Sequence, residues 1–219
     1  MKIIELNKSV TDSNDRDAEV LRNELTEKGI CLINLMSSPG SGKTTLLSRI
    51  IKDMNAKVPI AVCEADIASA VDAERIESLG ATAVQVHTDG MCHMDAGMTR
   101  KGLFNMDLDG IKLAFLENVG NLICPAEFDT GAHVNMMILS VPEGDDKPLK
   151  YPLMFSICNL VVINKMDVMP YFDFDLEKCK EYIHMRNPKA TVIPICAKTG
   201  EGVDKLAQWL LNEIKNWKN

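Results

Sequence analysis

The chain has 219 residues, 46% of them apolar and 25% charged, a composition that suits one large core and argues against disorder. Its net charge of −7 argues against a nucleic-acid coat, which needs clustered Lys and Arg. A single phosphate cradle stays open, because it uses local backbone N–H groups. Seven cysteines, no leader-like opening and no apolar run of the roughly 18–20 residues that a membrane span needs point to a reduced, cytoplasmic protein.

In chain order, residues 12–28 are polar with an apolar stripe at Ala18, Leu21 and Leu25. Gly29 follows, so the stretch reads as an amphipathic helix with a glycine stop. Strand-like runs are predicted over 30–36, 59–64, 81–86, 111–117, 134–141, 160–164 and 191–195, and helices over 44–54, 71–79, 175–185 and 203–217. This alternation predicts an α/β fold, a mostly parallel sheet covered by helices on both faces. The expected organisation is one domain over 1–219, with 1–29 as a helical extension. The Met-, Gly- and Asp-rich stretch 91–110 breaks the rhythm and reads as a functional insertion.

Ser37-Ser38-Pro39-Gly40-Ser41-Gly42-Lys43-Thr44-Thr45 lies between a predicted strand and a predicted helix, the context that a Walker A phosphate loop requires. Small residues let the backbone wrap phosphates, Lys43 would reach the β- and γ-phosphates, and the Thr44 hydroxyl would bind Mg²⁺. Ser37 stands where the usual pattern has Gly, a mild departure with Gly40 and Gly42 in place.

Asn164-Lys165-Met166-Asp167 follows another apolar strand and resembles the Asn-Lys-x-Asp motif of GTPases. In that family the Asp accepts two guanine N–H groups, a donor pair that adenine lacks, and such a site can discriminate by about 10⁴. By the same resemblance the Lys165 stem lies along the base and Asn164 braces the loops. Ile195-Cys196-Ala197-Lys198-Thr199-Gly200 is similar to the second base loop, where the Ala197 N–H would approach the guanine O6. GTP is the expected nucleotide.

Asp66 and Glu117 sit at or just past strand ends, where either could hold Mg²⁺ directly or through water, or orient the attacking water. Asp72 is a further choice, and equally fits a helix-starting acid. The loop 143–148 is either a switch or a solvated turn. Cys92, His93 and Cys124 would suit Zn²⁺ or Ni²⁺. Neighbouring Cys and His lie about 100° apart on a helix, so both reach one ion only from a loop or helix start. Core packing is the competing account of Cys124. The methionines 91, 94, 98 and 106 are read as packing, and His87, His133 and His184 as structural.

The ordered set of the phosphate loop, Cys92-His93-Met94-Asp95-Ala96, the segment 117–126 (Glu-Asn-Val-Gly-Asn-Leu-Ile-Cys-Pro-Ala) and the segment 143–152 (Glu-Gly-Asp-Asp-Lys-Pro-Leu-Lys-Tyr-Pro) resembles the HypB family of hydrogenase nickel incorporation GTPases. The resemblance runs from about residue 30 onward. It implies a SIMIBI-class P-loop GTPase that forms a nucleotide-gated homodimer, with a metal site of Cys92, His93 and Cys124 at the dimer interface and Asp95 close by. It also implies a HypA-like companion metallochaperone and the hydrogenase large subunit as recipient. The urease GTPases carry a Cys-Pro-His motif whose proline is missing between Cys92 and His93. Many family members carry an N-terminal Cys- or His-rich nickel tract; the first thirty residues here hold neither residue, so reliance on the interface site is expected. Competing expectations are nickel delivery to urease, a metal-independent GTP switch, and an ATP-dependent P-loop enzyme.

Overall fold

The structure, a computed structural model, describes residues 6–66 and 76–217. Seven strands form one sheet: β1 (Cys31–Ser37), β2 (Ile60–Asp66), β3 (Thr82–His87), β4 (Leu113–Glu117), β5 (Val134–Ser140), β6 (Leu160–Asn164) and β7 (Thr191–Pro194). Their order is β3-β2-β4-β1-β5-β6-β7, and every pairing is parallel. The predicted α/β class is therefore observed. β1 is buried along its whole length, as expected of a strand covered on both faces.

Along β1, Cys31, Ile33 and Leu35 face a cluster that contains Leu46, Leu47, Ile50 and Ile51 of α2 (Lys43–Met54). The same cluster takes Val203, Leu206 and Leu210 of the last helix, Val203–Asn216. Leu32 points the other way, into a cluster with Leu21 and Leu25 of α1 (Leu6–Lys28) and Leu103 of α3 (Ala96–Phe104). Farther along that second face, Met137, Leu139, Val161 and Ile163 meet Phe155, Cys179 and Ile183. These come from the helices Pro152–Ile157 and Leu176–Arg186.

The segment 91–110 is where the sequence reading fell short, because it contains α3. Gly97 and Gly102 lower its helix propensity by about 1 kcal/mol each relative to Ala. Packing requires one of them: a Cβ on Gly102 would lie 2.7 Å from the Val86 side chain, so only glycine lets α3 settle onto the sheet. Asp95 caps it, accepting the Met98 amide at 2.7 Å. Met94 is fully buried and Met98 and Met106 pack beside it, so these thioethers fill the core.

α1 starts at Leu6, earlier than predicted, and Gly29 ends it at φ 74° with the Ile30 amide bonded back to the Leu25 carbonyl at 2.9 Å. Most of the predicted helix 71–79, with Asp72, lies outside the described residues; 76–78 is helical and precedes Gly80. No helix among the described residues is long and apolar enough to cross a membrane.

Candidate functional site: a nucleotide cleft beside a thiol–imidazole cluster

Parallel strands deliver their C-terminal ends to one edge, and ligand sites of open α/β sheets form there. At this edge two cavities share Gly42 and Thr45. The first, about 430 Å³, lies between the phosphate loop with Lys43 and Thr44 and the wall formed by Glu64, Glu117, Asn118 and Gly120. The second, about 320 Å³, is bordered by Asn164, Lys165, Asp167, Ala197 and Lys198. The predicted phosphate-loop residues and base-loop residues thus line two adjoining spaces.

Four hydrogen bonds fix the cleft. Asn164, 2% exposed, donates to the Ser41 carbonyl at 2.9 Å and accepts the Ala197 amide at 3.0 Å. Lys165, at φ 64°, donates from Nζ to the Gly40 carbonyl at 2.7 Å. Lys43 Nζ donates to Ser37 Oγ at 2.9 Å. Gly42 sits at φ 100°, and a Cβ there would meet Asn164 Nδ2 at 2.6 Å, which excludes side chains on both conformational and steric grounds. The Ala197 amide, expected to approach the guanine O6, donates to Asn164 Oδ1 in this structure.

Glu64 is the residue that the sequence reading missed. β2 and β4 pair with Glu64 directly beside Glu117, and both side chains are buried, at 5% and 6% exposure. Its signal in the sequence was a lone acid inside an apolar strand, which only strand order places next to Glu117. Asp66 closes β2, opposite His87 in the register. In the 143–148 loop, Glu143 accepts the Ser140 amide at 2.8 Å, so this acid serves a capping box.

Cys92 and His93 lie in the irregular run that precedes Asp95 and α3, the placement that lets neighbouring residues share an ion. Cys124 opens the short helix Cys124–Glu127, 32 positions later. Donor atoms of Cys92, His93 and Cys124 all lie within 4.8 Å of one another, so Cys124 is drawn out of the core-packing account. The His93 ring stacks on Phe128 at 3.9 Å and 15°. Burial lowers the His93 pKa, against the opposing charges of Asp95 and Glu127, which favours the neutral imidazole that metals bind. The Cys124 thiol, through its hydrogen bond, raises the Cys92 pKa. Asp95 is committed to its helix cap.

Two further residues hold this cluster from α1 and the sheet. Asn14 of α1 accepts the Ala96 amide at 3.0 Å and donates to the Asp129 carbonyl at 2.8 Å. Asn118 accepts the Met94 amide at 3.1 Å.

Fold and cleft together define a P-loop nucleotide-binding protein with a thiol–imidazole cluster one loop away from its phosphate cavity. Residues 31–194 match the family described as CobW/HypB/UreG, nucleotide-binding domain. The chain is 44% identical over 209 residues to the hydrogenase maturation factor HypB of Escherichia coli K12, covering 95% of this chain and 72% of that protein. It is 39% identical to the hydrogenase/urease maturation factor HypB of Helicobacter hepaticus, covering 95% and 87%. The crystal structure of Helicobacter pylori HypB in complex with nickel superposes with a TM-score of 0.87 at 34% identity, covering 93% of this chain and 95% of that one. The chain belongs to the CobW/HypB/UreG family, and within it to the HypB hydrogenase maturation factors.

Proposed function

We propose that this chain is a GTP-hydrolysing switch that delivers nickel for [NiFe]-hydrogenase assembly, holding the ion at Cys92, His93 and Cys124 according to the nucleotide it carries. The observation that carries this reading is the approach of those three donors to within 4.8 Å, at the far end of the segment 117–124 whose start lines the phosphate cavity. Two thiolates and an imidazole suit nickel or zinc and leave coordination positions for donors from a second copy.

In this reading Asp167 accepts the guanine N1–H and 2-amino group, the Lys165 stem covers the base, and Ala197 with Lys198 closes its edge. Gly40, Ser41, Gly42, Lys43, Thr44 and Thr45 hold the phosphates. The Thr44 hydroxyl and the carboxylates of Glu64 and Glu117 line one cavity, an all-oxygen set that fits Mg²⁺; Asp66, which closes β2, is a further Mg²⁺ ligand in this reading. When bound, Mg²⁺ offsets charge on the phosphate oxygens. The protein's own part is to seat the γ-phosphate against Lys43 and to orient a water for attack, giving GDP and phosphate. With no arginine finger assigned, turnover is expected at roughly 10⁻³ per second or below.

GTP draws the loops around the γ-phosphate inward and favours a homodimer, bringing two triads together; hydrolysis resets the loops and releases nickel. A HypA-like metallochaperone and the hydrogenase large subunit are the expected partners, in the cytoplasm. Urease is the second recipient to test, because the Helicobacter hepaticus relative is named for both enzymes.

The test is nickel bound per protomer with a non-hydrolysable GTP analogue, in the wild type and in Cys92→Ala. Saturable binding that the substitution abolishes is expected. Equal binding in both proteins would remove the cluster from the reading, and equal affinity for ATP and GTP would remove the guanine assignment.

A further inference from the structure

The segment 117–124 has two faces. At its start, Glu117, Asn118, Val119 and Gly120 line the phosphate cavity. Gly120 lies so close to the phosphate loop that a Cβ on it would sit 3.2 Å from Pro39 Cγ and 3.3 Å from the Pro39 nitrogen. The end of the segment is Cys124, one of the three donors. The run that carries the other two donors is tied back to the same segment through its backbone. Asn118 Oδ1 accepts the Met94 amide at 3.1 Å, and Asn121 Nδ2 donates to the Cys92 carbonyl at 3.3 Å. These two bonds bracket His93 on either side.

The two asparagines are built differently. Asn118 is fully buried, and its Nδ2 donates to Asn34 Oδ1 on β1 at 3.0 Å. Asn34 in turn donates to Asn135 on β5 at 3.0 Å. Asn118 is thus anchored to the two central strands and acts as a fixed point. Asn121 is half-buried; its Oδ1 accepts the Ile123 amide at 2.9 Å in a local turn, and its longer bond at 3.3 Å links that turn to the Cys92 carbonyl.

We propose that Asn118 and Asn121 are the positioning residues that make the nickel affinity of the Cys92–His93–Cys124 cluster depend on the nucleotide. The inference rests on the nickel-switch reading above and deepens it. A nucleotide whose terminal phosphate presses on or leaves the 117–120 wall shifts Gly120 against Pro39. Pivoting about Asn118, the segment carries Cys124 directly and pulls the Cys92 backbone through Asn121. Small shifts suffice, because donor distances in metal sites are held to about 0.2 Å. Donor atoms around one tetrahedral ion lie roughly 3.5–3.8 Å apart; Cys92 Sγ and His93 Nδ1 already stand at 3.8 Å, and all three donors lie within 4.8 Å of one another. A shift of about 0.2 Å or more at Cys124 therefore changes how well the three donors fit one ion.

The experiment measures Ni²⁺ affinity of the whole chain with Mg²⁺ and either GDP or a non-hydrolysable GTP analogue. The ratio of the two affinities is compared among the wild type, Asn121→Ala, Asn121→Asp and Asn118→Ala. Asn121→Asp keeps the acceptor for the Ile123 amide, removes the donor to Cys92 and adds a charge common to both nucleotide states, so a purely structural role for the turn leaves its ratio intact. In the wild type a ratio of about fivefold or more is expected. Both Asn121 variants are expected to bind Ni²⁺ in each state with the ratio reduced to within about twofold. Amide exchange at Met94 that changes with nucleotide in the wild type and not in Asn121→Asp adds to the support. If Asn118→Ala does not fold, the Asn121 pair still decides. A ratio in Asn121→Asp equal to that of the wild type overturns the proposal, as does a wild-type ratio of one. A wild type that binds no Ni²⁺ in either state overturns the nickel-switch reading itself, an outcome distinct from those two.

Discussion

Asn164 closes β6 and donates from its side chain to the Ser41 carbonyl at 2.9 Å, so the base motif holds the phosphate loop in place. Its other end takes the Ala197 amide at 3.0 Å. Asn164→Ala leaves a buried carbonyl and a buried amide unpaired, each costing about 1–3 kcal/mol. The expected outcome in urea unfolding is a loss of about 2–4 kcal/mol. Fluorescent GDP should bind at least about tenfold more weakly, because the cradle is no longer preorganised. Unchanged stability would show that water takes over both bonds.

Asp167 borders the base cavity together with Ala197 and Lys198. Replacing its carboxylate by an amide in Asp167→Asn removes an acceptor and adds a donor. The variant is expected to lose GTP affinity by a factor on the order of 10² or more. It should retain xanthosine triphosphate, whose 2-oxo group accepts where guanine donates. Competition titrations with the two nucleotides check this, and equal losses for both would mean that the loop itself is damaged.

α1 is as much a part of the core as any helix on that face of the sheet. Leu21 and Leu25 are fully buried against Leu32, Leu103 and Met94, and Arg22 forms a two-pronged pair with Asp129 at 2.7 Å. Leu25→Ala is therefore expected to cost about 2–5 kcal/mol. Removing residues 1–29 should leave an aggregating chain. A truncated chain that unfolds cooperatively and binds GDP with wild-type affinity would show that the fold does not need α1.

His133 joins α1 to β1 and sets an acid limit on stability. Its Nδ1 accepts the Leu32 amide at 3.0 Å, while Nε2 faces Thr26 Oγ1 at 3.1 Å and the Arg22 carbonyl at 3.3 Å. Burial, aided by the Arg22 charge and opposed by the bond to the Arg22 carbonyl, lowers its pKa from 6.5 to about 4. Between those values the unfolded chain binds the extra proton, so stability rises with pH across that window. The His133 contribution is complete above pH 6.5 and is lost as pH falls toward 4. Urea midpoints from about pH 7 down to about pH 4.5 should show a slope that His133→Gln flattens.

The phosphate loop and the Asn-Lys-x-Asp turn were legible as turns in the sequence because each is a pattern of a few consecutive residues that follows an apolar strand. Gly42 at φ 100° and the strand–loop–helix setting belong to the local chain. The sheet itself was legible for a similar reason: strands such as Leu160–Asn164 are short apolar runs bounded by turn residues, buried on both faces. α3 was not, because its glycines reflect close packing on Val86 rather than local preference.

What only the tertiary structure decided depends on strand order. Glu64 becomes a site residue because β2 pairs with β4 and sets it beside Glu117. Cys124 becomes a partner of Cys92 and His93 because the segment leaving β4 crosses under the run that enters α3, tied there by Asn118 and Asn121. Composition allowed Cys124 a place in the core, and resemblance alone suggested a ligand. The distance was set by hydrogen bonds between residues 24 and 29 positions apart, which no local pattern encodes. The sequence by itself determined which chemical groups the chain carries and the local turns that present them. The packed sheet determined which of those groups meet, since proximity across a fold is a property of how buried surfaces fit together.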